Sequence, residues 1–393
     1  MLASDARDRG FESRLGHHFV VYLVGDFMLV EQYNALNKEN SNSVLDKYFA
    51  TKTLQRLKGK GLFCGMDYVS IPQLIPREYY SRYDHSKNVG YTAWKLSEDL
   101  NVALAGAFHD VGSLSFAHVN SFKNGDALKQ ENDELSVREI LLEDEELLSY
   151  LHDDHILIDD VVEATKYPLI DKKIPALCLD RADGILATCL FFAKTHSFEE
   201  IRSLYYMLAY FENLNGMVYD VHNERLKDFK GEMVLMEDYE ADYEDFFRAI
   251  NMYSKILLTK EDRYMMEVLG LALRYYEDLG IINENDLFFL SEQEIIFRIL
   301  NSKYGDVLKD VLSLERVFYA KDLNQGLVLV SKPKIRQANP LVFGQMEVCE
   351  IDGISGDFYR ELNDIYEDIL LTDKPITGNL SSNTVRVLSR YKR

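Results

Sequence analysis

The chain has 393 residues, with 44 Lys and Arg against 65 Asp and Glu, a formal charge of −21. Hydrophobic residues make up 47% of it, and Gly (21) and Pro (7) are sparse. These values exclude a disordered chain, a collagen-like repeat and a disulfide scaffold, and they argue against docking on nucleic acid or anionic lipid by bulk charge. A small anionic substrate stays compatible, because a bound cation and a few local Arg or Lys reverse the sign inside a cleft.

From the N-terminus, residues 5–16, DARDRGFESRLG, resemble the translated 3′ arm of a transfer-RNA gene. Met28 is then the expected start, and residues 1–27 are given no function. The apolar run from Phe19 to Val30 is broken by Asp26 and is shorter than the roughly 20 residues a spanning helix needs. Neither a membrane span nor a secretion signal is expected. Cys64, Cys178, Cys189 and Cys349 show no CxxC spacing and read as free thiols of a cytoplasmic protein.

Residues 87–99 carry Val89, Ala93, Trp94 and Leu96 at helical spacing. Residues 101–109 are more uniformly apolar, which predicts a buried helix. Residues 134–151 read as one amphipathic helix with a solvated acidic face, and 175–195 as a buried helix opening on Pro175. From 199 to 312 the pattern stays helical, through EEIRSLYYMLAYF, DYEDFFRAINMYSKILL, EDRYMMEVLGLALRYYEDLG and SEQEIIFRILNS. After about 315 the texture turns to short β-rich pieces, RVFYA, GLVLVSK and PKIRQANPLVF. The expectation is a mostly α helical bundle: a core over 28–200, a helical continuation over 201–315 and a small α+β region over 316–393.

Four residues stand out: His85 in SRYDHSKNVG, the adjacent His109 and Asp110 that close the apolar helix, and Asp180 in PALCLDRADGILA. Inward-facing ligands from three helices can meet in a bundle core. Isolated buried carboxylates and imidazoles are costly, and one divalent cation (Mn, Fe, Co, Ni, Zn or Mg) neutralises the first and gives the second a lone-pair partner. Water held at open positions of such a cation becomes a nucleophile near neutral pH.

The ordered pattern H…HD…D resembles the HD-domain metal-dependent phosphohydrolases, most closely the deoxynucleoside triphosphate triphosphohydrolase branch. Ser81 to Ala93 look like the family's SRFEHSxxVGxLA segment, His109 to His118 like HDxGHxPFxH, and Asp180 to Thr188 like the DxxDYxxRD helix. The resemblance covers roughly residues 60–190, and KPKIRQANPLV looks like that branch's late strand. It implies an HD-domain helical bundle in which His85, His109, Asp110 and Asp180 bind the metal. Arg82 and Arg181 would contact phosphate through bidentate guanidinium donors, and His118 would face the phosphate chain. Asp110 could orient the attacking water, and Asp183 would partner a ligand His.

The departures are Ser113 and Asn132 where the branch has His, Gly184 where it has a Tyr near the sugar, and Ala187-Thr188 where it has Arg-Asp. Ser and Asn cannot donate a proton with a pKa near neutral. Three readings follow: a metal-dependent hydrolase of a nucleotide or related phosphoester, a monophosphatase or phosphodiesterase with a smaller site, and a nucleotide-binding sensor or scaffold. The expected partners are the small phosphate substrate and, by the same resemblance, a second copy of the chain; nucleic acid and membrane are not expected. His152 and His155 could serve a second metal, but a surface cap is the preferred reading. Lys166, Tyr167, Lys172 and Lys173 read as a solvated loop that could line an anion-attracting mouth, and the acidic runs 143–146 and 237–244 as solvated faces.

Overall fold

The computed structural model describes residues 28–37, 43–125, 136–213, 218–220, 225–227, 230–236, 242–322, 326–332, 334, 336, 338–344, 347–349, 360, 362–365, 367–369 and 374–392. The expectations placed on residues 1–27 and on Asn132 lie outside these. Within them the fold is mostly helical, with one large hydrophobic core and a small amount of sheet. No helix among the described residues is long and apolar enough to cross a membrane.

The centre is an antiparallel hairpin of helices Arg82–Ser97 and Leu100–Phe108. Ser81 and Asp84 form a capping box that starts the first helix, and the Asp99 side chain accepts the Asn101 N–H at 2.8 Å to start the second. The first helix therefore begins at residue 82, ahead of the expected 87, and His85 lies in its opening turn. The hairpin closes tightly through two glycines. A Cβ at Gly90 would stand 3.1 Å from Ala107 Cβ, and one at Gly106 would stand 3.2 Å from Val89 Cγ1. This close approach turns the start of one helix toward the end of the other, which sets His85 against His109.

Helix Leu179–Ala187 packs on the first helix and continues as a π-turn, Thr188–Phe192. It begins four residues after Pro175, which instead sits in the preceding loop, where its carbonyl accepts Asn339 N–H at 2.6 Å. The single helix expected over 134–151 is two, Val137–Leu142 and Glu145–Asp153. Asp144 separates them: it caps the second helix and its other oxygen takes Thr53 N–H and Oγ1–H at 3.1 and 2.6 Å.

Helix Tyr243–Leu257 packs on helix Leu179–Ala187, and helix Lys260–Asp278 packs on helix Val119–Asn124. The helical continuation expected over 201–315 is interrupted. Helix Phe198–Tyr206 stops, and strands β1 (Leu208–Asn213), β2 (Val218–Asp220), β3 (Arg225–Lys227) and β4 (Lys230–Met236) follow. Strands β5 (Val317–Tyr319), β6 (Leu341–Gly344), β7 (Glu347–Cys349) and β8 (Ile376–Gly378) come later. Six strands make one sheet in the order β1-β4-β6-β7-β2-β3, and β5 pairs with β8. Leu208 pairs with Leu235 and Val234 with Leu341, so a sheet built from distant segments wins over the local helical pattern. The late segment is stitched to the bundle: Arg263 donates to Ser331 O at 3.0 Å and Ser254 Oγ to Arg336 O at 2.5 Å.

Behind the hairpin's start lies a buried acid pair. Glu292 is 0% and Asp67 1% exposed, and Glu292 Oε1 accepts Phe116 N–H at 2.9 Å. Asp67 Oδ2 and Glu292 Oε2 converge on the bare side of Gly61, where a Cβ would meet them at 2.7 and 3.2 Å. Burial, and then Asp67's own neighbour Glu292, push the Asp67 carboxyl up; burial pushes Glu292 up to about 7. A carboxyl raised in the folded state stabilises below its unfolded value and loses that stabilisation as pH rises through its folded value. Nearby Lys60, depressed to about 6 mainly by burial, acts oppositely at higher pH. Glu292→Gln is therefore expected to lose less stability than the parent between pH 4.5 and 7.5, by about 1–3 kcal/mol. Urea unfolding of both proteins across that range measures it, and parallel stability curves would contradict it.

Candidate metal centre

Three side chains from three elements meet at one point. His85 Nε2 lies 3.2 Å from His109 Nε2 and 3.1 Å from Asp180 Oδ1, and His109 Nε2 lies 3.5 Å from the same Asp180 oxygen. The other ring nitrogens are committed. His85 Nδ1–H donates to Asp183 Oδ2 at 2.6 Å, and His109 Nδ1–H donates to Gly106 O at 2.6 Å. With both Nδ1 atoms as donors, both Nε2 atoms turn a lone pair toward each other and toward a carboxylate. Such a donor set is at rest only with a proton or a cation between its members. The group His85, His109 and Asp180 fits a divalent ion of the borderline type.

Asp110 stands at the edge of this group. Its Oδ2 is 4.0 Å from His109 Nε2 and takes Arg82 Nη1–H at 2.5 Å. Burial pushes its carboxyl up, but Arg82, then His109 and His85, outweigh this and hold it at about 2. Burial likewise opposes charge on both imidazoles. Hydrogen bonds to Asp180 and Asp183 nevertheless raise His85 to about 10, and Asp110 and Asp180 raise His109. For Asp180 burial is again opposed by the two imidazoles, which hold it well below the usual carboxylate range. The site thus favours positive charge at its centre.

Asp183, three residues after Asp180 and on the same helix face, orders the cluster from behind. Besides His85 it accepts Tyr33 O–H at 2.8 Å on Oδ1 and Tyr80 O–H at 3.0 Å on Oδ2. Tyr80 in turn accepts Asn88 Nδ2–H at 2.8 Å. When the ring is neutral, the carboxylate fixes the His85 tautomer that leaves Nε2 free of hydrogen.

The cluster opens into a cleft of about 760 Å³. Asp180 keeps 42% of its side chain open to it, so a ligand in the cleft reaches the centre directly. Arg82, His118, Lys172, Lys173, Arg181, Lys334 and Arg336 all line this cleft, a cationic concentration in a chain of charge −21. Arg181 also holds the preceding loop, donating to Ala176 O and to Lys172 O at 2.9 Å. Lys172 pairs with Glu232 of β4. Gly184 lies on the cleft wall, and a Cβ there would touch nothing within 4 Å, so this position is open room.

Other expectations are placed elsewhere. His152 is 89% exposed beside Asp153, and neither it nor His155 lines the cleft. Lys166, expected in a loop, closes a short 3-10 helix, Ala164–Lys166, and pairs with Asp160 outside the cleft. Ser113 is buried and donates to Asp110 Oδ1 at 3.3 Å. Sequence reasoning missed Asp171, Cys178, Asp262 and Arg336, which all bear on this cleft or its wall. Asp262 is buried, which pushes its carboxyl up to about 7 despite Arg336 and Arg263. The basic KPKIR run was the one available signal, for Arg336.

Residues 82–188 match the model of the HD domain. That stretch contains His85, His109, Asp110, Asp180 and Asp183. The uncharacterized protein YdhJ of Bacillus subtilis (strain 168) is 24% identical over 322 residues, 80% of this chain and 88% of its own length. A crystal structure of a hypothetical protein from Aquifex aeolicus shares the fold, with a TM-score of 0.52 at 14% identity over 84% of this chain and 96% of that one. The domain match supports a protein of the HD-type metal-dependent phosphohydrolase kind, and HD domains bind divalent metals.

Proposed function

We propose that the protein is a metal-dependent hydrolase of a nucleotide or a related small phosphoester. The observation that carries this reading is the pair of Nε2 atoms 3.2 Å apart, both facing Asp180 Oδ1 at the floor of a cation-lined cleft. His85, His109 and Asp180 would hold the cation, with Asp110 beside them. When bound, the cation would supply water acidic enough to attack phosphorus near neutral pH. Asp110 Oδ1 is the acceptor that would orient an attacking water. Arg82, anchored through Asp110, offers guanidinium donors to charge building on the phosphoryl oxygens. His118 and Arg181 contact the rest of the phosphate chain from the cleft wall, and the open position at Gly184 admits the sugar or base.

A second reading, a nucleotide-binding sensor or scaffold, is favoured by Ser113, whose hydroxyl is turned to Asp110 where a proton-donating His would serve a triphosphohydrolase. One experiment separates the two. Nucleotides and model phosphoesters are incubated with the protein and Mn²⁺, Co²⁺, Ni²⁺, Mg²⁺ or Zn²⁺, and released phosphate, polyphosphate and nucleoside are measured. Turnover of at least one substrate is expected, with kcat/KM lowered about 10²–10³-fold in Arg82→Ala. Tight nucleotide binding with no product under any metal would reject the hydrolase and leave the sensor.

A further inference from the structure

Beside the first cluster the described residues hold another set of ligand atoms. One atom each from Asp171, Cys178 and Asp180 lies within 4.8 Å of the others, and Asp180 belongs to both groups. We propose that Asp171, Cys178 and Asp180 form a second divalent-cation site, joined to the first through the Asp180 carboxylate, so that the cleft operates with a pair of cations. This inference rests on the reading of His85, His109 and Asp180 as a metal site.

The backbone holds the new set in place. Leu179 N–H donates to Leu169 O at 2.8 Å and Asp180 N–H to Ile170 O at 3.3 Å. These bonds lay residues 169–171 alongside 178–180 and bring Asp171 next to Cys178.

The thiol gives an independent indication. Cys64 Sγ donates to Leu62 O at 3.6 Å, and Cys189 Sγ to Ala249 O at 3.2 Å. Cys178 is 0% exposed, yet its thiol donates to no such carbonyl and caps no N–H of the helix it precedes among the described residues, and it faces the two carboxylates. Coordination by Cys178 releases the thiol proton to solvent as the thiolate forms one bond to the cation.

A sulfur ligand selects Zn²⁺ or Co²⁺ over Mg²⁺.

The test uses the reduced full-length chain titrated with Co²⁺ alone. Two equivalents are expected, the second carrying a near-ultraviolet sulfur-to-cobalt charge-transfer band. Cys178→Ser should abolish the band and weaken the second equivalent at least ~10-fold while keeping the first, and Asp171→Asn should weaken it similarly. A single equivalent with no band, lost in His109→Ala, would overturn the second site and leave the first standing. No tight equivalent at all would overturn both. A band that persists at unchanged affinity in Asp171→Asn would mean a lone cysteine binding cobalt and would also overturn the proposal. If Cys178→Ser fails to fold by circular dichroism, the parent band and Asp171→Asn decide the matter.

Discussion

Replacing His109 by Ala is expected to remove the cation held by His85, His109 and Asp180, and turnover with it, while leaving the fold intact. The imidazole supplies one of the two inward nitrogen lone pairs, so the variant keeps only His85 Nε2 and Asp180 Oδ1 as close ligands. Two donors do not retain a borderline divalent ion through dialysis, and without the ion no acidic water is available. Activity should fall by about 10³-fold or more. The structural cost is small, because outside the ligand cluster His109 holds only Gly106 O among the described residues, through Nδ1, and its ring lines the cleft. His85→Ala is a less clean test: it strips the Asp183 carboxylate of one buried donor and adds a stability loss of about 1–3 kcal/mol. Elemental analysis, a melting curve and a turnover assay on His109→Ala suffice, and a metal-free variant that still turns over substrate would remove the basis of the hydrolase reading.

Asp183→Asn should weaken metal binding by about 10–100-fold without contacting the metal. The carboxylate accepts three donors, His85 Nδ1–H, Tyr33 O–H and Tyr80 O–H. An amide offers one oxygen and one NH₂, so one of these acceptor positions becomes a donor. If the NH₂ meets His85 Nδ1, the ring shifts its hydrogen to Nε2 and no longer offers a lone pair to the cation. If the oxygen meets it, the tautomer survives but the negative charge that strengthens the imidazole is gone. Either outcome lowers affinity, and Tyr33→Phe, which leaves the carboxylate in place, should lower it less. Isothermal titration with Mn²⁺ or Co²⁺ reads the difference; equal affinities for parent and Asp183→Asn would show that the residue does not act through His85.

Local patterns carried a good part of the fold. The apolar run around Ala103 and the spacing of Val89, Ala93 and Trp94 correspond to the central hairpin, because both helices bury a face against one core. Boundaries went wrong where a single polar side chain reaches across the chain. Asp144 breaks a helix because Thr53, 91 residues earlier, offers it two donors. The strands of 208–236 were invisible for a related reason: β4 gains its partner β6 from residues 341–344, and no local periodicity announces that pairing.

What the chain order determined by itself was chemical: which residues carry ligand atoms, in the order His85, His109-Asp110, Asp180, on segments that fold as helices. Tertiary structure decided how those atoms are used. It turned Asp110 toward Arg82, set Asp183 behind His85, exposed His152, and brought Asp171 and Cys178 to the far side of Asp180. The reason is range. Side-chain chemistry and helical periodicity are properties of a few neighbouring residues, whereas hydrogen-bond partners and shared ligands depend on distances of a few ångströms between segments far apart in the chain, and only the packed core sets those.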